Sequence, residues 1–461
     1  MHFKKTRNEQ PMPEQQNIEY KSIWKDEYLK VVCGFANANG GVIYIGKDDA
    51  GNIVGLQNEK KMLEDIPNKI KDILGIVSDV NLHEAEQGNF LEIVVETQTN
   101  PINYKGCYFY RSGATNQELK GTALDNFLLK KQGKHWDSVP VPNVAIEDLS
   151  LIALQRFRQA AARSGRIDED VLTDSTEHLL QDLQLIDETS RCLKRAAILL
   201  FHPKPERFVT GAYVKIGFFR GDDDELAFQD EIHGSIMEQI DKTIDLLTSK
   251  YIIFAISYEG VSRREKPTFP VAALRESLLN AIAHKDYASG IPIQISVYPD
   301  HIVFWNAGQL PKTISIAALL QKHPSIAYNP DIANALFRSG DIEIWGRGYR
   351  KILKSVFENN QLPPRIEDIG GLMITYYTDI RTQLATQNID ERVIQIIEYV
   401  AKNESINNPI VQKILGVSKP TATRLLKQAE EWLVMEDKGR KGRNYSFKWK
   451  IYGLIMGSKK D

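Results

Sequence analysis

Three residues at four-residue spacing carry the clearest chemistry in this chain: Glu276, Asn280 and His284. At that spacing a helix stacks a carboxylate, an amide and an imidazole in one line along one face. Leu274, Leu278 and Ile282 repeat in the same way on another face, the apolar stripe of a helix packed on a core. Asn and His are mediocre helix formers, and a solvated face is more readily built from Lys, Glu or Gln, so their placement points to a site. A polar face that merely repeats accounts for the spacing equally well, so the decision rests on what the rest of the chain brings to it. The helix is expected over 272–287, reading AALRESLLNAIAHKDY.

Two later stretches supply partners. Alternating runs at 291–298 and 301–305 read as strands around a Pro299-Asp300 turn, and the second delivers into Asn306-Ala307-Gly308. Further on, Gly346-Arg347-Gly348 is a G-x-G turn opening a helix, which offers backbone N–H groups, an arginine and a helix dipole to an anion. Taken alone, a glycine pair is an ordinary turn signal.

The order E-x-x-x-N on a helix, then Asn-x-Gly after a hairpin, then G-x-G before a helix is similar to that of the boxes of the GHKL ATP-binding fold, shared by gyrase, Hsp90, histidine kinases and mismatch-repair proteins. With His-Lys-Asp-Tyr after the helix asparagine and Trp-Gly-Arg-Gly near the end, the wording resembles a divergent AAA-type subfamily, over about residues 145–380. The resemblance implies ATP and Mg2+ as ligands. It implies Asn280 on the metal, Glu276 as the base that orients or deprotonates water, and Gly346, Arg347 and Gly348 around phosphate. His284, Asn306 and Gly308 complete the implied nucleotide-binding set. The chain departs from the pattern at two points. Asn306 stands where the family has an Asp reading the adenine amino group, and the second glycine of that box is replaced at Leu310. The expectation is therefore binding and switching, with at most slow hydrolysis. No G-x-x-x-x-G-K-[ST] occurs, so a P-loop helicase motor is not expected, and G-x-S-x-G, H-E-x-x-H and Cys/His zinc spacings are absent too.

Ahead of this region, a short strand is expected at 18–21 and a helix over 28–38, stopped by Asn39-Gly40-Gly41. A strand at 42–46, a helix near 60–74, and strands at 90–96 and 107–111 follow, the last ending in the donor-rich turn Arg111-Ser112-Gly113-Ala114-Thr115-Asn116. The run EYK…FANANGGVIYIGKDDAGNIVGL…YFYRSGATN resembles the Alba-like domain shared by Schlafen proteins and many bacterial regulators, over about residues 14–130. The resemblance implies nucleic-acid binding, and some Schlafen members cut RNA with clustered carboxylates. Lys21, Lys25, Lys30 and Arg111 are the candidate phosphate contacts, with Ser112 and Gly113 as backbone donors. Glu19, Asp26 and Glu27 are the acids available to a nuclease, although acids at a helix start also simply suit its dipole.

At the other end, helices are expected over 390–402 and 409–415. A third is opened by Ser418 as N-cap with Pro420 in its first turn, and a basic-tipped hairpin follows. That order reads as a winged helix-turn-helix. Residues 413–450 hold ten Lys or Arg against four Asp or Glu, the local excess that a phosphate-tracking module needs. Thr421, Thr423 and Arg424 are the candidate base readers, with Lys419, Lys427, Arg440, Lys441 and Arg443 as further contacts. A winged helix used only for protein contacts would share this outline.

The chain as a whole has 461 residues, 26% charged and 42% hydrophobic, with a net charge of -2, so any nucleic-acid surface is local. Its three cysteines lie far apart, which fits a reducing cytoplasm and not a disulfide framework. No apolar run of spanning length or secretory leader is evident, so a cytoplasmic protein without membrane segments is expected. The expected class is an α+β multidomain protein. It has a flexible lead-in (1–17), an Alba-like Schlafen-type domain (18–134), a scaffold portion (135–265), a GHKL-like α/β sandwich (266–380) and a winged helix-turn-helix (388–452). The expected function is a nucleotide-responsive, DNA-binding transcriptional regulator, in dimeric form, with double-stranded DNA as partner and RNA as a further one. The alternatives are a nuclease of nucleic-acid defence triggered by nucleotide, and a non-catalytic interaction scaffold.

Overall fold

The computed structural model describes residues 16–259, 262–308, 326–343, 348–359, 361–387, 389–437 and 443–448. The chain divides into two compact units, 1–136 and 137–461.

In the first unit a four-stranded sheet runs in the order Ile18–Lys21, Gly41–Ile45, Phe90–Val95, Asp79–His83, its first pair parallel and the others antiparallel. Period-two alternation puts Ile43, Ile45, Leu91 and Ile93 on one face. Against them pack Val32, Phe35 and Ala36 of the Leu29–Asn37 helix and Ile66 and Ile70 of the Glu59–Leu74 helix, forming a single core. A separate hairpin, Tyr108–Ser112 with Thr115–Leu119, lies along the Leu29–Asn37 helix. The contact is close because Gly34 has no side chain: a Cβ there would fall 1.8 Å from Asn116 Oδ1. Asn37 fastens the same region, its amide donating to the Ile102 and Phe109 carbonyls and accepting from the Ile102 N–H. Beyond the Gly41–Ile45 strand a single antiparallel bridge joins Lys47 to Ile53.

A six-stranded sheet is the centre of the second unit, in the order Leu226–Ile232, Val214–Phe219, Ile293–Val297, His301–Asn306, Leu372–Tyr377, Arg365–Asp368. Only the Val214–Phe219 and Ile293–Val297 pair is parallel. The sheet therefore begins well before residue 266, and the stretch expected as scaffold supplies two of its six strands, at one edge. On the core face lie Ile216, Ile295, Phe304 and Ile374, in register across four strands. The Val271–His284 helix packs on the His301–Asn306 strand and against the Ile236–Leu246 and Gly348–Glu358 helices. Asp222-Asp223-Asp224 is a turn tip, with Asp222 Oδ1 accepting the Asp224 N–H at 3.1 Å.

The C-terminal part has its own core of Val393, Ile396, Ile397, Val411, Leu425, Leu426 and Phe447. Its helices are Glu391–Asn403, Asn408–Leu415 and Lys419–Gln428, with Gly416 in the left-handed conformation at the turn. A three-stranded sheet, Ile406–Asn407, Arg443–Phe447, Leu433–Asp437, completes it; the short first strand was not anticipated. Among the described residues no helix is long and apolar enough to cross a membrane.

Candidate functional site

The Val271–His284 helix stops three residues earlier than its sequence suggests, because Lys285 leaves helical geometry. Asp286 then caps a short turn, accepting the Ala288 N–H at 3.0 Å. Both ends of the helix are fixed. Near its start, Ser277 Oγ and the Ala273 carbonyl meet the Tyr376 hydroxyl at 2.7 and 3.4 Å. At its end, Asn329 donates to the Ala283 and Lys285 carbonyls, and the Asp286 N–H donates to Ala307 at 2.5 Å. That last bond joins the helix terminus to the Asn306–Gly308 turn.

Glycines close over the polar line at both ends. A Cβ on Gly348 would fall 2.4 Å from Glu276 Oε1 and 3.5 Å from Asn280 Nδ2, so the opening of the Gly348–Glu358 helix lies directly on those two side chains. A Cβ on Gly308 would fall 2.5 Å from the His284 carbonyl and 2.8 Å from Asn306 Nδ2. Gly348 thus meets the Glu276 and Asn280 side chains, and Gly308 meets the His284 carbonyl and the Asn306 side chain. Gly346 and Arg347 lie outside the described residues.

The electrostatics are unusual for a structural face. Glu276 is 5% exposed, and burial pushes its carboxyl above the usual range, with Lys351 opposing and Glu343 reinforcing the shift. Lys351 Nζ lies 3.8 Å from Glu276 and 3.9 Å from Glu343, and Arg166 holds Glu343 at 2.7 Å. Asn306 is 3% exposed, and its Nδ2 has no hydrogen-bond partner among the described residues. A buried amide nitrogen without a partner is costly in a purely structural position. Lys285 is fully buried against the Tyr287 ring, and burial lowers its ammonium to about 8. Lys351 and Asn329 were not singled out from sequence. The signals were a lysine one turn after Gly348 and an asparagine directly before the Pro330 that opens a helix.

The N-terminal candidates behave differently. Arg111 is 2% exposed, its guanidinium 2.7 Å from Glu19 and above the Phe35 ring, while Lys21 meets the other Glu19 oxygen at 2.7 Å. The expectation of a surface phosphate contact at Arg111 is corrected by this burial: its charge is engaged inside the unit. Lys25 is exposed, and Ser112 and Gly113 form an exposed hairpin tip. The carboxylates considered for a nuclease do not gather. Glu19 is held by Arg111 and Lys21, and Asp26 by Lys69 at 2.7 Å. Among the described residues the one group of three His, Cys, Asp or Glu side chains close enough to share a metal is Asp174, His178 and Asp182, elsewhere in the chain.

In the C-terminal part Lys419, Arg424 and Lys427 are exposed on the Lys419–Gln428 helix. Thr423 is exposed too, but its hydroxyl donates to the Lys419 carbonyl and accepts from Asn408 at 2.9 Å, a brace between two helices that leaves little freedom to read a base. Thr421 pairs with Ser418 through their hydroxyls at 3.0 Å, so Ser418 occupies the cap position without a side-chain bond to the backbone. Arg443 is exposed at the start of the last strand; Arg440 and Lys441 lie outside the described residues.

Comparison with known proteins locates two of these regions. Residues 14–120 match the family described as "Schlafen, AlbA_2", and residues 290–375 match that described as "Putative ATP-dependent DNA helicase recG C-terminal". The protein is accordingly a mixed α/β multidomain chain carrying a Schlafen AlbA_2 domain and an ATPase-like region. The second match includes Asn306, Gly308 and Gly348 and begins after the helix that bears Glu276, Asn280 and His284. No curated protein matches the chain. Two solved structures are similar to it. The DIP2311 protein from Corynebacterium diphtheriae has 18% identity and a TM-score of 0.46, over 96% of this chain and 94% of that one. The N-terminal domain of the "Putative ATP-dependent DNA Helicase RecG-related Protein" from Nitrosomonas europaea has 23% identity and a TM-score of 0.18, over 25% of this chain and 87% of that one.

Proposed function

We propose that this chain is a nucleotide-responsive DNA-binding regulator, in which ATP with Mg2+ lies along the Val271–His284 helix and alters how the terminal regions engage DNA. One observation carries the reading: Gly348 closes over Glu276 and Asn280, and Gly308 over the His284 carbonyl and the buried Asn306, whose Nδ2 has no hydrogen-bond partner among the described residues. The described residues fit such a ligand. The Asn280 amide oxygen, one helical turn from Glu276 and under a helix start, offers a ligand for a hard cation beside a place for phosphate. When bound, the metal would neutralise phosphate charge there. Glu276 would hold or accept a proton at its carboxylate beside the reacting end, and Lys351 would counter the charge so formed. The two-layer sheet and helices support a GHKL-like ATP-binding fold, and the match to an ATPase-like family agrees with it.

Three helices followed by a strand hairpin support a winged helix, with Lys419, Arg424 and Lys427 on the recognition helix facing solvent. The AlbA_2 match supports a second nucleic-acid surface in the N-terminal unit, at Lys25, Ser112 and Gly113. A homodimer would set two such helices on neighbouring half-sites. The engagement of Glu19, Asp26 and Arg111 in ion pairs disfavours the nuclease reading.

Fluorescence anisotropy with a labelled duplex, with and without Mg2+–ATP, tests this function. Affinity is expected to shift with nucleotide, and Arg424→Ala with Lys427→Ala should flatten the salt dependence by about two units of slope. A duplex affinity indifferent to both nucleotide and these substitutions would overturn the proposal.

A further inference from the structure

Asn306 ends the His301–Asn306 strand and is buried, its Nδ2 without a hydrogen-bond partner among the described residues. Gly308 lies directly against that nitrogen: a side chain there would start 2.8 Å from it. Gly348 lies on the Glu276 and Asn280 side chains, while Gly308 lies on the His284 carbonyl at the helix end and on Asn306. Eight residues of helix, about 12 Å, separate Glu276 from His284. A nucleotide with its phosphates and metal at the Gly348 end therefore presents its base to the Asn306 end.

A carboxylate at that place could only accept hydrogen bonds, and so would select a base that donates. An amide offers both a donating NH2 and an accepting oxygen, and does so whichever way its O and N are assigned. We propose that Asn306 makes this a purine site open at the 6-position, accepting 6-oxo purines (guanine, hypoxanthine) as well as the 6-amino purine adenine. The inference rests on the nucleotide reading above and specifies its substrate class. The side-chain N–H of Asn306 donates to a 6-oxo group, and after an amide rotation its oxygen accepts from a 6-amino group. Either base supplies the missing partner of the buried amide.

Titration calorimetry on the full chain with the Mg2+ complexes of ATP, GTP, ITP and purine riboside triphosphate tests it. ATP, GTP and ITP are expected to bind within about tenfold of one another, and the purine lacking any 6-substituent about tenfold more weakly, because it leaves the amide unmet. Asn306→Asp should keep ATP affinity while weakening GTP and ITP by about thirtyfold or more. The proposal is overturned if the unaltered chain rejects GTP and ITP by over about a hundredfold relative to ATP, or if Asn306→Asp leaves the GTP-to-ATP ratio unchanged. The unsubstituted purine gives a reading that needs no variant, so it stands even if Asn306→Asp fails to fold. Binding of ATP with either overturning result removes this inference alone; binding of none of the four removes the nucleotide reading with it.

Discussion

The Glu19–Arg111 pair and the Glu276–Asn306 line are both buried and polar, yet they are satisfied in opposite ways. Glu19 sits between Arg111 and Lys21, each 2.7 Å away, and the arginine also covers Phe35. Charge is matched locally, and the group ties the Ile18–Lys21 strand to the Tyr108–Ser112 strand across a helix. Among the described residues the other line has only a lysine 3.8 Å from Glu276 and a carboxyl shifted upward by burial. A matched buried charge holds a fold together, whereas an under-partnered one is retained for something that arrives later. The difference separates two sets of residues that look alike in sequence.

The sharpest test of that difference is Arg111→Ala. Leaving the Glu19 carboxylate buried without its guanidinium should destabilise the N-terminal unit by about 3–5 kcal/mol, read from urea unfolding. By contrast Glu276→Gln should cost nothing or stabilise; a loss comparable to that of Arg111→Ala would erase the contrast. Next in size is Gly348→Ala. Its methyl would enter the Glu276 carboxylate, so nucleotide affinity should fall by at least about tenfold with little change in unfolding; undiminished binding would detach Gly348 from the site. A pH profile sharpens the comparison further. Because burial raises the Glu276 pKa on folding, the folded chain holds that proton more tightly than the unfolded one. This contribution is complete below the ordinary carboxylate range and is lost as pH rises through the elevated value. Glu276→Gln should remove that fall, seen as a flatter melting temperature against pH. The smallest effect is Asn408→Ala, which removes the brace to Thr423 and should cost about 1 kcal/mol, measured by thermal unfolding of the same chain.

Much of the candidate site was legible because helical period is a direct consequence of geometry. Glu276, Asn280 and His284 share a face at any helix with that spacing, and the glycine turns at 308 and 348 announce close approaches. Helix 391–403 and the hairpin 433–447 were readable for the same reason, from apolar period and turn residues. Pairings between distant strands were not. Nothing in Val214–Phe219 specifies that it lies parallel to Ile293–Val297, since register is set by the packed sheet and not by local pattern. Burial of ionic side chains was equally hidden. Arg111 in a donor-rich turn reads as a phosphate contact, and only the approach of Glu19 from 92 residues away shows otherwise. Thr423 is similar: its position on the recognition helix was evident, but its bond to Asn408 depends on how two helices cross.

The central claim is that the polar line holds a nucleotide with its metal. Calorimetry of the unaltered chain and of Asn280→Ala with Mg2+–ATP tests it most directly. Saturable binding at one site per chain, weakened about tenfold or more by the substitution, is the predicted result. Absence of heat with both proteins, or equal affinity in the two, would contradict it.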